Sequence, residues 1–177
     1  MSNIHIINAR TEHIPIITQV EREAASVYPP GVMPHYLKHQ MLPYNELVEG
    51  IVNDSLFIAL TDNGRVQGFI LVRHFQNLAL LSKVDVRPQL MRRGIGTQLI
   101  NTALEKLPSW GHSHLWLTTF ANLPWTVPFY ERFGFSIIPH EEQPNMIQSI
   151  MTQEEENGFK DRVAMKFSLS LKKHISS

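Results

Sequence analysis

The sequence predicts an α/β fold on a mixed, mostly antiparallel sheet, and three observations carry that prediction. Three strand-like runs follow one another mid-chain, at 55–60, 65–75 and 78–86, with an Asn63-Gly64 turn between the first two. Apolar residues at helical spacing flank this meander, at 14–24 and again at 95–107. Strand-like runs then resume after the second helical stretch, so strands and helices share one unit. The 177 residues suit one domain, 1–177, and no repeat, low-complexity tract or linker divides them.

Each element has its own signal. "IHIINA" (4–9) alternates and reads as a first strand. Thr11 is placed to cap a helix whose buried face is Ile14, Ile17, Val20 and Ala24. "VYPPGVMP" (27–34) breaks it, because two prolines and a glycine cannot continue a helix. A second helical region, interrupted at Pro43, runs to about Val52. Pro88 stops the third strand of the meander. Ile95, Leu99, Ile100, Ala103, Leu104 and Leu107 then mark a helix up to Pro108. "HLWLTTF" (114–120) is a strand. A short helix near 125–133 ends at Gly134, a suitable C-cap. "FSIIP" (135–139) is a strand, a further helix is read within 140–160, and "RVAMKFSLSL" (162–171) is the last strand.

Composition bounds the chemistry. Lys plus Arg equals Asp plus Glu at 16 each, so the basic excess of a typical nucleic-acid binder is missing. There is no cysteine, which removes disulfides, thiolate metal sites and a cysteine nucleophile. The start "MSNIHIINAR" lacks a signal-peptide pattern, and no apolar run reaches the roughly 18 residues of a membrane span. A cytoplasmic location, away from membranes, is the expectation. Nine histidines are scattered. His35 and His39 share an i, i+4 spacing, and "HSH" (112–114) puts two on one strand face, but neither makes a metal-ligand set, so no metal is expected.

"MRRGIGTQLI" (91–100) carries the strongest chemical signal. Gly94 and Gly96 let backbone approach a ligand closely, and they stand where a helix begins. Unpaired amides and the helix dipole favour an anion there, and Arg92 and Arg93 add positive charge. A pyrophosphate suits such a site. Two nucleotide loops fail on spacing: Leu99 stands both where a Walker A loop needs its second glycine and where a dinucleotide fingerprint needs its third.

"VDVRPQLMRRGIGTQLI" (84–100) resembles the acetyl-CoA-binding motif of the GNAT superfamily of N-acetyltransferases: a strand ending V-x-P, then [QR]-x-x-G-x-[GA] and a helix. "PFYERFGFSII" (128–138) resembles that family's F-Y-x-x-x-G-F signature at the expected distance downstream. The resemblance implies a strongly twisted sheet whose fourth strand splays from the fifth, with acetyl-CoA between them. It implies that Val84 and Val86 offer backbone groups to the pantetheine arm, and that Met91, Arg92, Arg93, Gly94, Ile95, Gly96 and Thr97 cradle the pyrophosphate. Phe129 and Asn122 are further coenzyme candidates. Two departures stand out. Met91 occupies the family's Gln or Arg position, and Leu123 stands where the family often has asparagine, with Asn122 one residue earlier.

Amine acetylation needs a neutral amine, a polarised thioester and a proton for the departing thiolate. Without cysteine, direct attack in a ternary complex is the natural route. The resemblance makes Tyr130 the general acid. Asp85 and Glu21 are candidates for the base or for holding the amine. Related polyamine acetyltransferases carry carboxylates where this chain has Ser82 and Lys83. Strand alternation puts Asp85 opposite Val84 and Val86, toward helix or solvent. Glu23, Tyr28, Tyr36, Phe120 and Trp125 are candidates for the acceptor pocket, where aromatic rings suit an alkylammonium. The resemblance also puts the acidic run 154–156 near the acceptor side. The expected acceptor is a small primary amine, such as a short diamine or polyamine. The alternatives are a peptide N-terminus or protein lysine, and a non-catalytic acyl-CoA-binding module. Dimers are common in the family, so a homodimer is compatible with this reading.

Overall fold

A computed structural model describes residues 2–170. Its seven strands are β1 (Ile4–Asn8), β2 (Leu56–Thr61), β3 (Val66–Phe75), β4 (Leu78–Val86), β5 (His114–Phe120), β6 (Ser136–Ile137) and β7 (Arg162–Ser168). They form one sheet in the order β1-β2-β3-β4-β5-β7-β6. Every neighbouring pair is antiparallel except β4 and β5, which are parallel. The helices are α1 (Ile14–Ala25), α2 (His35–Lys38), α3 (Tyr44–Val52), α4 (Ile95–Lys106), α5 (Thr126–Glu131) and α6 (Asn145–Glu156). Among the described residues, no helix is long and apolar enough to cross a membrane.

Strand alternation divides the apolar side chains between two helical layers. Phe57, Ala59, Ile70, Val72, Ala79, Leu81 and Leu115 pack against Ile95, Leu99, Ile100 and Ala103 of α4. On the opposite face, Leu56, Ile58, Phe69 and Leu71 meet Ile14, Ile17 and Val20 of α1 and Leu47 of α3. A smaller group, Leu78, Leu80, Trp116 and Ala164, receives Ile147 of α6.

One irregularity in β4 decides where its polar residues go. Val72 pairs with Leu81 and Leu71 with Lys83, so Ser82 is an extra residue without a partner. Such a bulge reverses the alternation beyond it. Unbroken alternation would put Lys83 and Asp85 on the face of Ala79 and Leu81. Instead Val84 and Val86 pack toward the α4 layer. Lys83 and Asp85 turn to the other face, where Lys83 meets α1.

Several boundaries differ from the sequence expectation for local reasons. Thr11 does not cap α1. It opens a 3-10 turn over Thr11–His13, and the ring of His13 accepts the backbone N–H of Arg10 at 2.9 Å. Pro108 does not end its helix abruptly, because proline is tolerated early in the 3-10 turn Leu107–Trp110. The strand expected at 135–139 is only Ser136–Ile137, a short edge beside β7. The last strand ends at Ser168, and the expected end at Leu171 lies outside the described residues.

Candidate active site

β4 and β5 pair only at Ala79–Leu115 and Leu80–Trp116. Beyond these pairs both strands continue without bonding each other, so a cleft opens toward Val86 and Phe120. On its other edge β4 stays bonded to β3: the N–H of Arg87 donates to Gln67 at 2.9 Å. Antiparallel pairing alternates, so residues 83, 85 and 87 bond to β3 while Val84 and Val86 aim backbone groups into the cleft. Chain geometry alone thus supplies a strip of free donors and acceptors.

The glycine segment closes one end of this cleft. Arg92 and Gly94 have φ of +62° and +83°, and Gly94 caps α4. The first intrahelical bond runs from Gln98 N–H to the Gly94 carbonyl at 3.0 Å. The amides of Ile95, Gly96 and Thr97 therefore stay free at a helix N-terminus, an arrangement suited to an anion. A Cβ on Gly94 would meet nothing within 4 Å, so the space beside it is open. A Cβ on Gly96 would touch the Phe129 ring at 3.6 Å, which puts α5 over the first turn of α4. Arg92 and Arg93 are exposed, and so is Met91, whose backbone is extended. Ile95 is buried in the core, leaving only its backbone for a ligand. Asn122 is exposed, and its amide donates to Asp161 at 3.2 Å. Gly94→Ala is expected to cost about 1–2 kcal/mol, because alanine must adopt a left-handed conformation while its methyl group packs against nothing. Denaturant unfolding measures that loss directly.

The other end of the cleft gathers ionisable groups. Glu21 is 1% exposed. Its carboxylate accepts the Leu42 N–H at 2.9 and 3.2 Å and pairs with Lys83 at 3.4 Å. The Asp85 carboxylate stands beside them without a side-chain hydrogen bond among the described residues, and its pKa rises to about 6. Burial is the main cause, Lys83 opposes it and Glu21 adds to it. Burial disfavours the Lys83 ammonium, yet Asp85 and Glu21 outweigh that and move its pKa upward. Burial, then Tyr28 and Asp85, push the Tyr130 hydroxyl well above the ordinary tyrosine range, while Arg162 opposes them. Tyr130 is therefore protonated at neutral pH. Its ring packs edge-on against Phe129 and Phe135. Tyr28 shifts upward too, by burial and by Asp85.

Structure adds a hub that the sequence did not reveal. Arg162 pairs with Glu154 through two nitrogens at 3.0 and 3.2 Å and donates to Thr118 at 3.1 Å. It also lies over Phe120 at 4.3 Å and Phe159 at 5.2 Å. Phe120 is buried within this stack and meets Tyr28 at 5.8 Å. Of the acidic run, Glu154 is thus a buttress between α6, β5 and β7. Glu23 pairs with Arg87 at 2.5 Å, which together with its bond from Gln19 lowers its pKa despite the opposing effect of burial. Trp125 is half exposed.

A clasp spans the rim above these groups. The Tyr36 hydroxyl donates to the Asn157 carbonyl at 2.5 Å. A Cβ on Gly158, which has φ +93°, would stand 2.8 Å from Pro34, so only glycine fits. Lys38 donates to the Tyr28 carbonyl at 2.8 Å. The segment between α1 and α3 thus joins the end of α6. His35 and His39 do face each other, with rings 4.8 Å apart. His112 and His114 separate: His112 stacks on His74 and His114 bonds Ser168. Among the described residues no three metal-ligating side chains converge.

The model of the "Acetyltransferase (GNAT) family" matches residues 18–135. The chain is 30% identical over 77 residues to the [ribosomal protein bS18]-alanine N-acetyltransferase of Escherichia coli K12. That match covers 44% of this chain and 52% of the relative, so the chain spans about half the length of the curated relatives it matches. The structure superposes on N-acetylglutamate synthase from Neisseria gonorrhoeae, complexed with coenzyme A and N-acetyl-glutamate, with a TM-score of 0.71 at 20% identity. That likeness covers 96% of this chain and 36% of the other. The paiA N-acetyltransferase from Thermoplasma acidophilum, in complex with coenzyme A, gives 0.68 at 18% identity, covering 94% and 99%. At these identities the two likenesses concern the fold.

Proposed function

The chain belongs to the GNAT acetyltransferase family, and we propose that it transfers an acetyl group from acetyl-CoA to a small primary amine. The observation that carries this reading is the junction of two half-sites in one cleft. Free helix amides and strand backbone lie at one end, and Asp85 and Tyr130 lie at the other. The open space beside Gly94 and the free amides of Ile95, Gly96 and Thr97 fit a coenzyme pyrophosphate. Val84 and Val86 would hold the pantetheine arm through their backbone. When bound, acetyl-CoA supplies an acetyl group on a thiol leaving group.

The chain's residues then divide the proton work. The acceptor's ammonium first gives one proton to solvent, and Asp85, as a carboxylate, takes the second from the neutral amine nitrogen as the C–N bond forms. A backbone N–H on the Val84–Val86 strip would donate to the thioester oxygen and polarise it. Tyr130 gives its proton to the sulfur as the C–S bond breaks. Solvent then restores Tyr130 and relieves Asp85 of its proton.

The rim clasp favours a small acceptor, because Tyr36 and Gly158 narrow the approach that an extended polypeptide would use. A peptide N-terminus is the second reading, supported by the likeness to the Escherichia coli alanine N-acetyltransferase of ribosomal protein bS18. Thiol release from acetyl-CoA with small amines and tripeptides separates the two. Faster turnover of the amines supports the first, and faster turnover of the tripeptides supports the second.

The proposed base has a pH signature. Burial raises Asp85 to about 6, and the ionised form is the active one, so activity falls as pH drops through that value. We expect kcat/KM, referred to the neutral form of the amine, to lose about tenfold per pH unit below it. Asp85→Asn should lower the plateau and flatten that acid limb. An unchanged limb in the variant would assign the titration to another group.

A further inference from the structure

The ionic pairing around the cleft limits what charge an acceptor can carry. Three cations near its acceptor end each hold a carboxylate, and a fourth on the rim, Lys38, donates to the Tyr28 carbonyl at 2.8 Å. Lys83 pairs with Glu21 at 3.4 Å, Arg87 with Glu23 at 2.5 Å and Arg162 with Glu154 at 3.0 Å. Asp85 is the carboxylate there with no salt bridge or side-chain hydrogen bond among the described residues, although Lys83 acts on it through space. Glu21 has a further commitment, to the Leu42 N–H.

We infer that the acceptor is a monoamine with a neutral neighbourhood: one ammonium, and neither a second cation nor a carboxylate within a few bonds. This inference rests on reading the cleft as an acetyltransferase site. One ammonium finds one unpaired carboxylate, Asp85. A diamine's second charge would need another, and would have to separate Glu21 from Lys83 or Glu154 from Arg162. A free amino acid brings its own carboxylate close to Asp85 and Glu21, while the rim cation without a carboxylate, Lys38, is held by the Tyr28 carbonyl. The neutral body of a monoamine meets Tyr28 and Phe159 instead, both half-buried beside Phe120. The α1 carboxylates that make a polyamine attractive from sequence are the ones this pairing occupies.

Two acceptor pairs, each differing by one charge, test the inference: propylamine against 1,3-diaminopropane, and alaninamide against alanine. Thiol release measures kcat/KM, and calorimetry measures amine binding to the protein saturated with coenzyme A. We expect the monoamine of each pair to be favoured on the order of 10²-fold in both readouts. Asp85→Asn should weaken propylamine binding at least tenfold while coenzyme A binding stays within about twofold. Equal or better use of the diamine or of alanine overturns the monoamine assignment. If none of the four is acetylated while coenzyme A still binds, the small-amine reading fails, and this inference with it. Transfer to the monoamines with a reversed preference within either pair leaves that reading intact and removes only this inference.

Discussion

Tyr130→Phe should lower kcat by two orders of magnitude or more, within the range seen when a positioned acid is removed. Coenzyme A affinity should stay within about threefold. The separation follows from which atoms do what. On the proposed reading the coenzyme would be held by the amides of Ile95, Gly96 and Thr97 and the strand backbone of Val84 and Val86. Phenylalanine keeps the edge-on ring contacts with Phe129 and Phe135, so the cleft wall survives. Only the hydroxyl is lost. It is buried near Tyr28 and Asp85, which keeps it protonated across the working pH range. Stopped-flow or steady-state thiol release gives kcat, and calorimetry gives coenzyme affinity. A variant turning over within threefold of the parent would mean that water or another group protonates the sulfur.

Lys83→Met should be the most destabilising single change at this site, by about 3–5 kcal/mol, because it strands a buried carboxylate. Glu21 is almost inaccessible, and its remaining partner is the Leu42 N–H. The double variant Lys83→Met with Glu21→Gln should recover most of the loss. Glutamine's oxygen still accepts from Leu42 and carries no charge, while Asp85, which loses the opposing effect of Lys83, shifts further toward its protonated form. Denaturant unfolding of both single variants and the double variant closes the cycle. If the two changes simply add, Glu21 and Lys83 are not coupled and the pairing at 3.4 Å contributes nothing to stability.

Much of this site is legible in the sequence because its donor half is local. Gly94, Gly96 and the helix they open lie within one short stretch, and the glycine conformation, free amides and helix start depend on neighbours along the chain. The meander and the α4 packing face follow from apolar periodicity for the same reason. The acceptor half is not local. Arg162 looks like one more surface cation in the sequence, and its pairing with Glu154 appears only once α6 returns to the sheet. The bulge at Ser82 leaves no compositional mark, yet it decides that Lys83 turns toward Glu21. Asp85 shows the mixture well. Alternation puts it opposite Val84 and Val86, and only the fold shows that the helix on that side carries Glu21. Thr11 shows the reverse: a residue type suited to capping opens a 3-10 turn instead, and no side-chain bond caps α1.

The clasp has a kinetic side. Tyr36 and Asn157 are 121 residues apart, and their bond lies on an exposed rim. Contacts of that span close a long loop for little burial, so they form late and open with a small free energy. The rim can therefore exchange with solvent while the sheet beneath it stays folded. Entry and exit of the acceptor would follow that local breathing rather than global unfolding, and turnover at saturating substrates would carry its timescale.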